Sequence, residues 1–252
     1  MMSPLADSDV AKLANIARTA HKYHFEKVEA WALTTFTQHL CKEDSIPIET
    51  YSLTHVTETA VLCDDAKLLP IVHKKWKDLI KKNKDLSMAI NLFERLGTFR
   101  DLIGLAYYAM MLQGREKWDS ADPPLTRKQR IRLLSGFYTI SEICINLPST
   151  PPPYCHFADC EGFKTCKKVW EQLWKDATNG NISLACGMFA PVRKNDLIGT
   201  MAMTIAMFDH IYALDHTSHW LENNCFLRSI EATRDMFNNF EAQLADFFQD
   251  VE

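Results

Sequence analysis

Apolar residues recur along this chain at the three- and four-residue spacing of amphipathic helices, and nothing in it reads as a pair of strands. The first run is Leu13, Ile16, Ala17 and Ala20, and the second is Val28, Trp31, Ala32, Phe36 and Leu40. Only a few residues around His24 separate the two runs, so we predict two helices packed as a hairpin. Similar runs follow to the C terminus. The pattern predicts an all-α fold: an array of antiparallel helical hairpins with about ten helices.

One short pattern recurs at the start of second helices in these hairpins. Tyr23, Phe25, Val28 and Ala32 have counterparts at the same spacing in Gly97, Phe99, Leu102 and Ala106, and more weakly in Cys63, Asp65, Leu68 and Val72. Successive copies start 40 and 34 residues apart (63 − 23 and 97 − 63). Such intervals are typical of stacked helical repeats. Cys63 stands at a repeat turn and is interpreted as a packing residue.

Residues 73–84 contain six lysines on one side of a predicted helix. Val72, Trp76 and Ile80 fall on the opposite side at 100° per residue. A solvated face of an ordinary amphipathic helix is the first interpretation, and a surface for an acidic partner or a phosphate is the alternative.

Several helix ends carry recognisable caps. Asp85, Thr126 and Asp196 are predicted N-caps, and Thr98 with Asp101 resembles a capping box. Gly97 is suited to the position just after a helix.

A proline-rich segment divides the helical pattern into two blocks. Pro148, Pro151, Pro152 and Pro153 stand close together, and neither a helix nor a central strand runs through such a cluster. We therefore predict an N-terminal helical-hairpin block of residues 1–147. A Cys/His loop with a C-terminal helical block makes up residues 148–252, and we expect it to pack with the first block as one unit.

Composition excludes several function classes. The net charge is −4 with lysine and arginine spread along the chain, which disfavours nucleic-acid binding. The N terminus has no secretory pattern, and no uncharged apolar run reaches the roughly 18 residues of a membrane span, so no membrane association is expected. Eight cysteines without a secretion signal indicate a reducing compartment, hence a cytoplasmic or nuclear protein.

The proline-rich segment also leads into a group of metal-capable side chains. Cys155, His156, Cys160 and Cys166 form a candidate zinc site, because zinc takes four thiolate or imidazole ligands in a tetrahedron. The spacing lacks the usual CxxC knuckle, and adjacent ligands such as Cys155 and His156 diverge. A set of three completed by distant Cys225 or Cys186 is therefore favoured over four local ligands. The alternative is that these cysteines are buried apolar residues and no metal binds.

No pattern of a known catalytic site is present, so we expect a protein that is not an enzyme. A second polar cluster comprises Asp209, His210, Asp215, His216 and His219. It lacks HExxH or a comparable signature and is interpreted as surface and helix-end residues.

Several stretches resemble the helical region that follows the BTB/POZ domain in fungal BTB/POZ domain-containing proteins. The resemblance rests on LANIARTAHKYHFEKVEAWAL (13–33), LGTFRDLIGLAYYAM (96–110), RIRLLSGFYTIS (130–141), the Cys/His segment leading to Trp170 and Trp174, and DLIGTM (196–201). It implies an all-helical, BACK-like protein-interaction scaffold. The BTB domain itself has no counterpart in this sequence, so BTB-mediated self-association and cullin binding are not expected.

Three functions remain open on the sequence. The first is a non-catalytic scaffold that binds another protein. The second is a zinc-binding domain whose metal is structural or, less readily, catalytic. The third is a helical domain that binds a small apolar ligand against the helix of residues 196–214.

Overall fold

A computed structural model describes residues 7–40, 49–154, 163–179, 192–214 and 223–249. Within these ranges the chain forms α-helices and one 3₁₀ turn, and no strand is present. The predicted all-α fold is confirmed. The helices are α1 (Asp7–Lys22), α2 (Glu26–Leu40), α3 (Thr50–Leu62), α4 (Leu68–Lys81), α5 (Leu86–Leu96), α6 (Arg100–Gln113), α7 (Arg115–Asp119), α8 (Arg127–Asn146), α9 (Phe163–Thr178), α10 (Leu197–Leu214) and α11 (Asn223–Phe247); Leu147–Ser149 forms the 3₁₀ turn.

The described residues fall into two compact units. Unit 1 comprises those within 1–110 and 115–125, and unit 2 comprises those within 111–114 and 126–252. The predicted blocks of residues 1–147 and 148–252 differ from these units in the assignment of residues 111–114 and of residues 126–147, which include α8.

The core of unit 1 is built around α1, α3 and α4. Helix α1 packs against α2 and α3, and α3 packs against α4. Trp76 of α4 is completely buried, with its ring edge-on to Phe93 at 5.5 Å between centroids. Val72 and Ile80 are buried beside Trp76 on α4, which confirms the predicted apolar side of the lysine-rich helix. The antiparallel hairpin array stays a prediction.

Two of the predicted repeat copies share one turn geometry. His24 and Asp64 both adopt positive φ, at 57° and 47°. In each turn the next amide donates to a carbonyl five residues back: Phe25 to Ala20 at 2.8 Å, and Asp65 to Ala60 at 3.1 Å. In the third copy the positive φ values fall instead at Gly97 and Phe99. The sequence repeat therefore corresponds to a shared turn in its first two copies only.

Most predicted caps form, and two do not. Thr126 and Gln129 make a reciprocal capping box, Gly97 adopts the left-handed conformation after α5, and Asp196 Oδ1 accepts from the Gly199 amide at 2.7 Å. Asp85 stands at the N-cap position of α5 without a capping bond, because its carboxylate accepts from the Thr50 hydroxyl. The proposed box at Thr98 and Asp101 is also wrong, because the Asp101 carboxylate bonds to His73 Nε2 at 2.6 Å and α6 begins after Phe99.

Unit 2 is organised by two tryptophans of α9. Trp170 and Trp174 are both fully buried, as predicted. Trp174 Nε1 donates to the Leu147 carbonyl at 2.7 Å, and Trp170 Nε1 donates to the Pro152 carbonyl at 3.3 Å. The Trp170 ring also lies 5.1 Å from the Phe208 ring of α10. The indoles therefore tie the proline-rich segment to the helices that follow it.

Helix α8 buries a different face from the one its apolar residues predict. Ile131, Leu134, Phe137, Ile140 and Ile143 recur along α8 at helical spacing. Of these only Ile140 is buried, whereas Ile131, Leu134 and Phe137 are exposed. Leu133 and Gly136 lie on the buried face instead, where Gly136 lets the Phe248 ring approach the backbone.

Among the helices that the structure describes, none combines the length and the apolar character needed to cross a membrane.

Candidate functional site

The α1–α2 hairpin exposes a group of large apolar side chains. Tyr23 and Phe25 are each 58% exposed, and Trp31 is 56% exposed. Ile16 and Val28 lie at 41% and 42%. We call these five residues the hairpin surface. The sequence predicted Ile16, Val28 and Trp31 to be core residues, and this part of the prediction is wrong.

Ile16, Val28 and Trp31 are exposed because α1 and α2 bury other faces of the two helices. The buried apolar residues of α1 are Val10, Leu13, Ala14, Ala17 and Ala20, and those of α2 are Ala32, Leu33, Phe36 and Leu40. Alanines allow the two helices to approach closely and bury their contact face. No part of the chain that the structure describes covers the larger apolar residues on the neighbouring face.

A shallow depression lies within the hairpin surface. It has a volume of about 290 Å³ and is lined by Asn15, Ile16, Thr19, Ala20, Phe25 and Val28. Exposed Lys22, Glu26 and Lys27 stand close by in the chain, and the Lys22 ammonium lies 5.4 Å from the centre of the Tyr23 ring. An apolar centre beside charges of both signs is the arrangement of a protein-binding patch.

Of the four predicted zinc ligands, the structure describes one. Cys166 lies on α9 and is buried. Cys155, His156 and Cys160 lie outside the described residues, and so does Cys186, one of the two proposed additional ligands. The other, Cys225 on α11, is completely buried.

The structure brings Cys166 and Cys225 to the same place. Both thiols interact with the hydroxyl of Tyr154, the last described residue of the proline-rich segment. Burial first, and then the neighbouring Cys225 and Cys166 thiols, raise the pKa of the Tyr154 hydroxyl above its ordinary value. Two buried thiols that stand 59 residues apart in the sequence (225 − 166) therefore converge at the Tyr154 hydroxyl.

The second polar cluster of the sequence is only partly described. Asp209 on α10 forms an ion pair with Arg234 of α11, at 2.6 Å between Oδ1 and Nη2. Asp215, His216 and His219 lie outside the described residues. The described ion pair of this cluster thus joins two helices of unit 2, and the interpretation of the cluster as surface and helix-end residues stays a prediction.

Comparison of the chain with protein-family models, with curated proteins and with solved structures finds no significant match. The resemblance to the region after fungal BTB/POZ domains therefore stays a prediction that rests on the residues quoted for it. The candidate sites rest on geometry and exposure.

Proposed function

We propose that this protein is a non-catalytic helical scaffold that binds another protein through the hairpin surface. The observation that carries the proposal is the exposure of Tyr23, Phe25 and Trp31 on neighbouring turns of one hairpin. Tryptophan and tyrosine supply much of the binding energy at protein interfaces when a partner covers them. The resemblance to a BACK-like interaction region points to the same class of function.

The occupant we infer is an amphipathic helix of a different protein. A depression between two helices, with apolar walls, accepts the apolar ridge of a third helix. Ile16 and Phe25 line that depression, and Trp31 lies one helical turn beyond Val28 on α2. Lys22, Glu26 and Lys27 provide polar partners at its border for the flanks of such a helix.

The test is a comparison of binding by three purified full-length chains. The wild type, a Phe25→Ala/Trp31→Ala variant and a Tyr138→Ala variant are used as baits, and captured proteins are quantified by mass spectrometry. Tyr138 is the matched control, because it is an aromatic residue that is 72% exposed on α8 of the other unit. We expect one partner to be lost with the double variant and retained with Tyr138→Ala.

Direct titration of the purified partner then decides the question. Removal of two aromatic anchors should weaken its binding by at least about 100-fold, since hot-spot residues contribute 2 kcal/mol or more each. Equal affinity for wild type and double variant would refute the hairpin surface as the binding site. Self-association of the wild type that the double variant lacks would assign the surface to a second copy of this chain instead.

A second candidate function is zinc binding by Cys155, His156, Cys160 and Cys166, with a structural role. The convergence of the Cys166 and Cys225 thiols at Tyr154 favours it, because Cys225 was a proposed additional ligand. Elemental analysis of the purified chain, with melting measured before and after chelation, tests this function. About one zinc per chain that is lost in Cys166→Ser would support it. Full stability in chelator and no bound zinc would leave Cys166 and Cys225 as buried thiols without a metal.

We also propose a cytoplasmic or nuclear location, in which the eight cysteines stay reduced. Neither nucleic acid nor a membrane is a proposed partner, given the net charge of −4 and the scattered lysines and arginines. A fluorescent fusion of the full chain checks the location.

A further inference from the structure

Three chemically different metal-ligand side chains meet at one end of unit 1. His21, Glu29 and Cys63 each offer one donor atom, and the three donors all lie within 4.8 Å of one another. His21 Nδ1 and Glu29 Oε1 are 3.1 Å apart. It is the one such group of three found among the described residues. None of the three belongs to the zinc site predicted from the sequence.

The fold places each donor at a helix end. His21 is in the last turn of α1, Glu29 is in the first turn of α2, and Cys63 is the C-cap residue of α3. His24 and Asp64 adopt the left-handed backbone conformation in the turns that follow α1 and α3. The C-termini of α1 and α3 carry the negative ends of two helix dipoles, which favours a cation at this position.

The distances suit a tetrahedral ion. With zinc–ligand lengths near 2.0–2.3 Å, tetrahedral geometry separates a nitrogen from an oxygen by about 3.3 Å, and an oxygen from a sulfur by about 3.6 Å. The observed 3.1 Å between His21 and Glu29 is already close to the first value. The Cys63 donor lies within 4.8 Å of both other donors, so none of the three has to cross the structure to reach a shared ion.

We propose that His21, Glu29 and Cys63 bind a zinc ion that links the ends of α1, α2 and α3. Imidazole, carboxylate and thiolate are each established zinc ligands, and their combination is borderline to soft, as zinc prefers. Three protein ligands leave the fourth position to water. The site joins residues 42 positions apart in the chain (63 − 21), so its ion stabilises the packing of the first three helices.

The surrounding charges are compatible with a bound cation. The nearby guanidinium of Arg18 is held by Glu58 at 3.0 Å and by the Thr59 hydroxyl at 3.2 Å, and Glu58 also pairs with Arg95. The Asp65 carboxylate adds negative charge near Cys63. Glu29 is only 20% exposed and His21 is 40% exposed, so the donors are partly shielded while an ion can still enter.

None of the three donor residues lines the depression or belongs to the hairpin surface. Arg18, one turn before His21, contacts α3, whereas Ile16 and Thr19 line the depression with Phe25 and Val28. Zinc binding and partner binding are therefore separable by mutation. Loss of one leaves the other measurable.

The experiment is cobalt(II) titration of the full-length chain, followed by displacement with zinc. Cobalt reports thiolate ligation by its charge-transfer absorption, and zinc competition gives the zinc affinity. We expect Cys63→Ser and His21→Gln each to remove one bound metal per chain or to weaken its binding at least about 10-fold, because even an outer-shell partner is worth 10–100-fold. Cys63→Ser should also lower the thiolate absorption by the contribution of one sulfur.

Two controls separate this site from other metal chemistry. His73→Gln removes another histidine–carboxylate pair of unit 1, that with Asp101 at 2.6 Å, and should change neither stoichiometry nor affinity. Cys166→Ser removes a ligand of the sequence-predicted site and should leave the Cys63-dependent metal in place. The proposal is overturned if the wild type binds no metal, or if Cys63→Ser binds the same amount with the same affinity and absorption.

Discussion

The indole Nε1 of Trp76 donates a hydrogen bond to the Thr57 hydroxyl at 2.8 Å, with both side chains completely buried. The same hydroxyl donates to the Leu53 carbonyl at 2.7 Å. One threonine on α3 therefore satisfies the only polar side-chain atom of a completely buried tryptophan in unit 1. Buried polar atoms are tolerated when they are paired in this way.

We predict that Thr57→Val destabilises unit 1 by about 1–3 kcal/mol, because it leaves the Trp76 N–H buried without its acceptor. Valine has nearly the shape of threonine, so packing changes little. Urea denaturation followed by tryptophan fluorescence measures the effect. Thr35→Val is the control, since its hydroxyl is exposed and only bonds back to Trp31, and it should be close to neutral. A Trp76→Phe background should remove most of the Thr57→Val penalty, and an undiminished penalty there would contradict the pairing.

Gly136→Ala is expected to destabilise unit 2 although alanine is the better helix former. A β-carbon at this position would lie 2.1 Å from Cε1 and 2.2 Å from Cδ1 of the Phe248 ring, which is itself buried. Overpacking of this kind costs about 1–3 kcal/mol, against a gain of about 1 kcal/mol in helix propensity. Thermal melting of the single variants and of Gly136→Ala/Phe248→Leu checks the cause. The second substitution should reduce the cost of the first, and an equal cost in both backgrounds would exclude the ring contact.

The Cys144 thiol is expected to react slowly with alkylating reagents. Burial, and secondarily the Asp196 carboxylate, raise the pKa of Cys144 from 9.0 to about 11. At pH 8 the reactive thiolate is then about 100-fold scarcer than for a thiol with the ordinary pKa, and alkylation slows in proportion. The rate should keep rising about tenfold per pH unit towards pH 11, whereas in denaturant it should level off near pH 9.

Peptide mass spectrometry after timed iodoacetamide treatment measures this rate for Cys144 alone. The pKa shift also has a consequence for stability. Since the folded pKa lies above the unfolded one, the protonated thiol contributes stability below about pH 9, and that contribution is lost as the pH rises towards 11.

Asp196→Asn should quicken the alkylation of Cys144 only modestly, because burial is the larger cause of the raised pKa. A rate in the native protein equal to that in denaturant would contradict the shift.

Asp196→Ala should loosen the start of α10. Asp196 Oδ1 accepts from the Gly199 amide at 2.7 Å, and loss of such a cap costs about 0.5–2 kcal/mol. Hydrogen exchange of the first-turn amides of α10 should accelerate, and Asp196→Asn should retain most of the protection, since asparagine also caps. Equal exchange in wild type and Asp196→Ala would show that the bond contributes nothing.

Helices and several of their ends could be predicted because they depend on neighbours in the sequence. The capping box at Thr126 and Gln129 needs only a four-residue pattern, and Gly97 only the freedom to adopt positive φ. Two caps failed where a distant residue competed: Thr50 for Asp85, and His73 for Asp101. A hydrogen bond to a residue far away in the sequence cannot be recognised from the local sequence pattern.

The candidate metal sites show the same division between what the local sequence indicates and what long-range contacts decide. Cys166 and its alternative partner Cys225 were predictable as metal-capable residues, but their convergence at Tyr154 was not. Cys63 was interpreted from the sequence as a packing residue, and nothing in the local pattern distinguished His21. No spacing rule connects them with Glu29, because the three stand on different helices.

The sequence by itself determined the all-α fold, the positions of most helices and the burial of Trp76, Trp170 and Trp174. Those follow from a 3.6-residue period and from side-chain size, which every segment carries locally. Only the tertiary structure decided which apolar face of a helix is covered, and it left Trp31 and Ile131 exposed while burying Ala32 and Leu133. The physical reason is that an amphipathic pattern shows only which face of a helix favours burial. Which face is actually buried depends on the neighbouring helices and on the space between them.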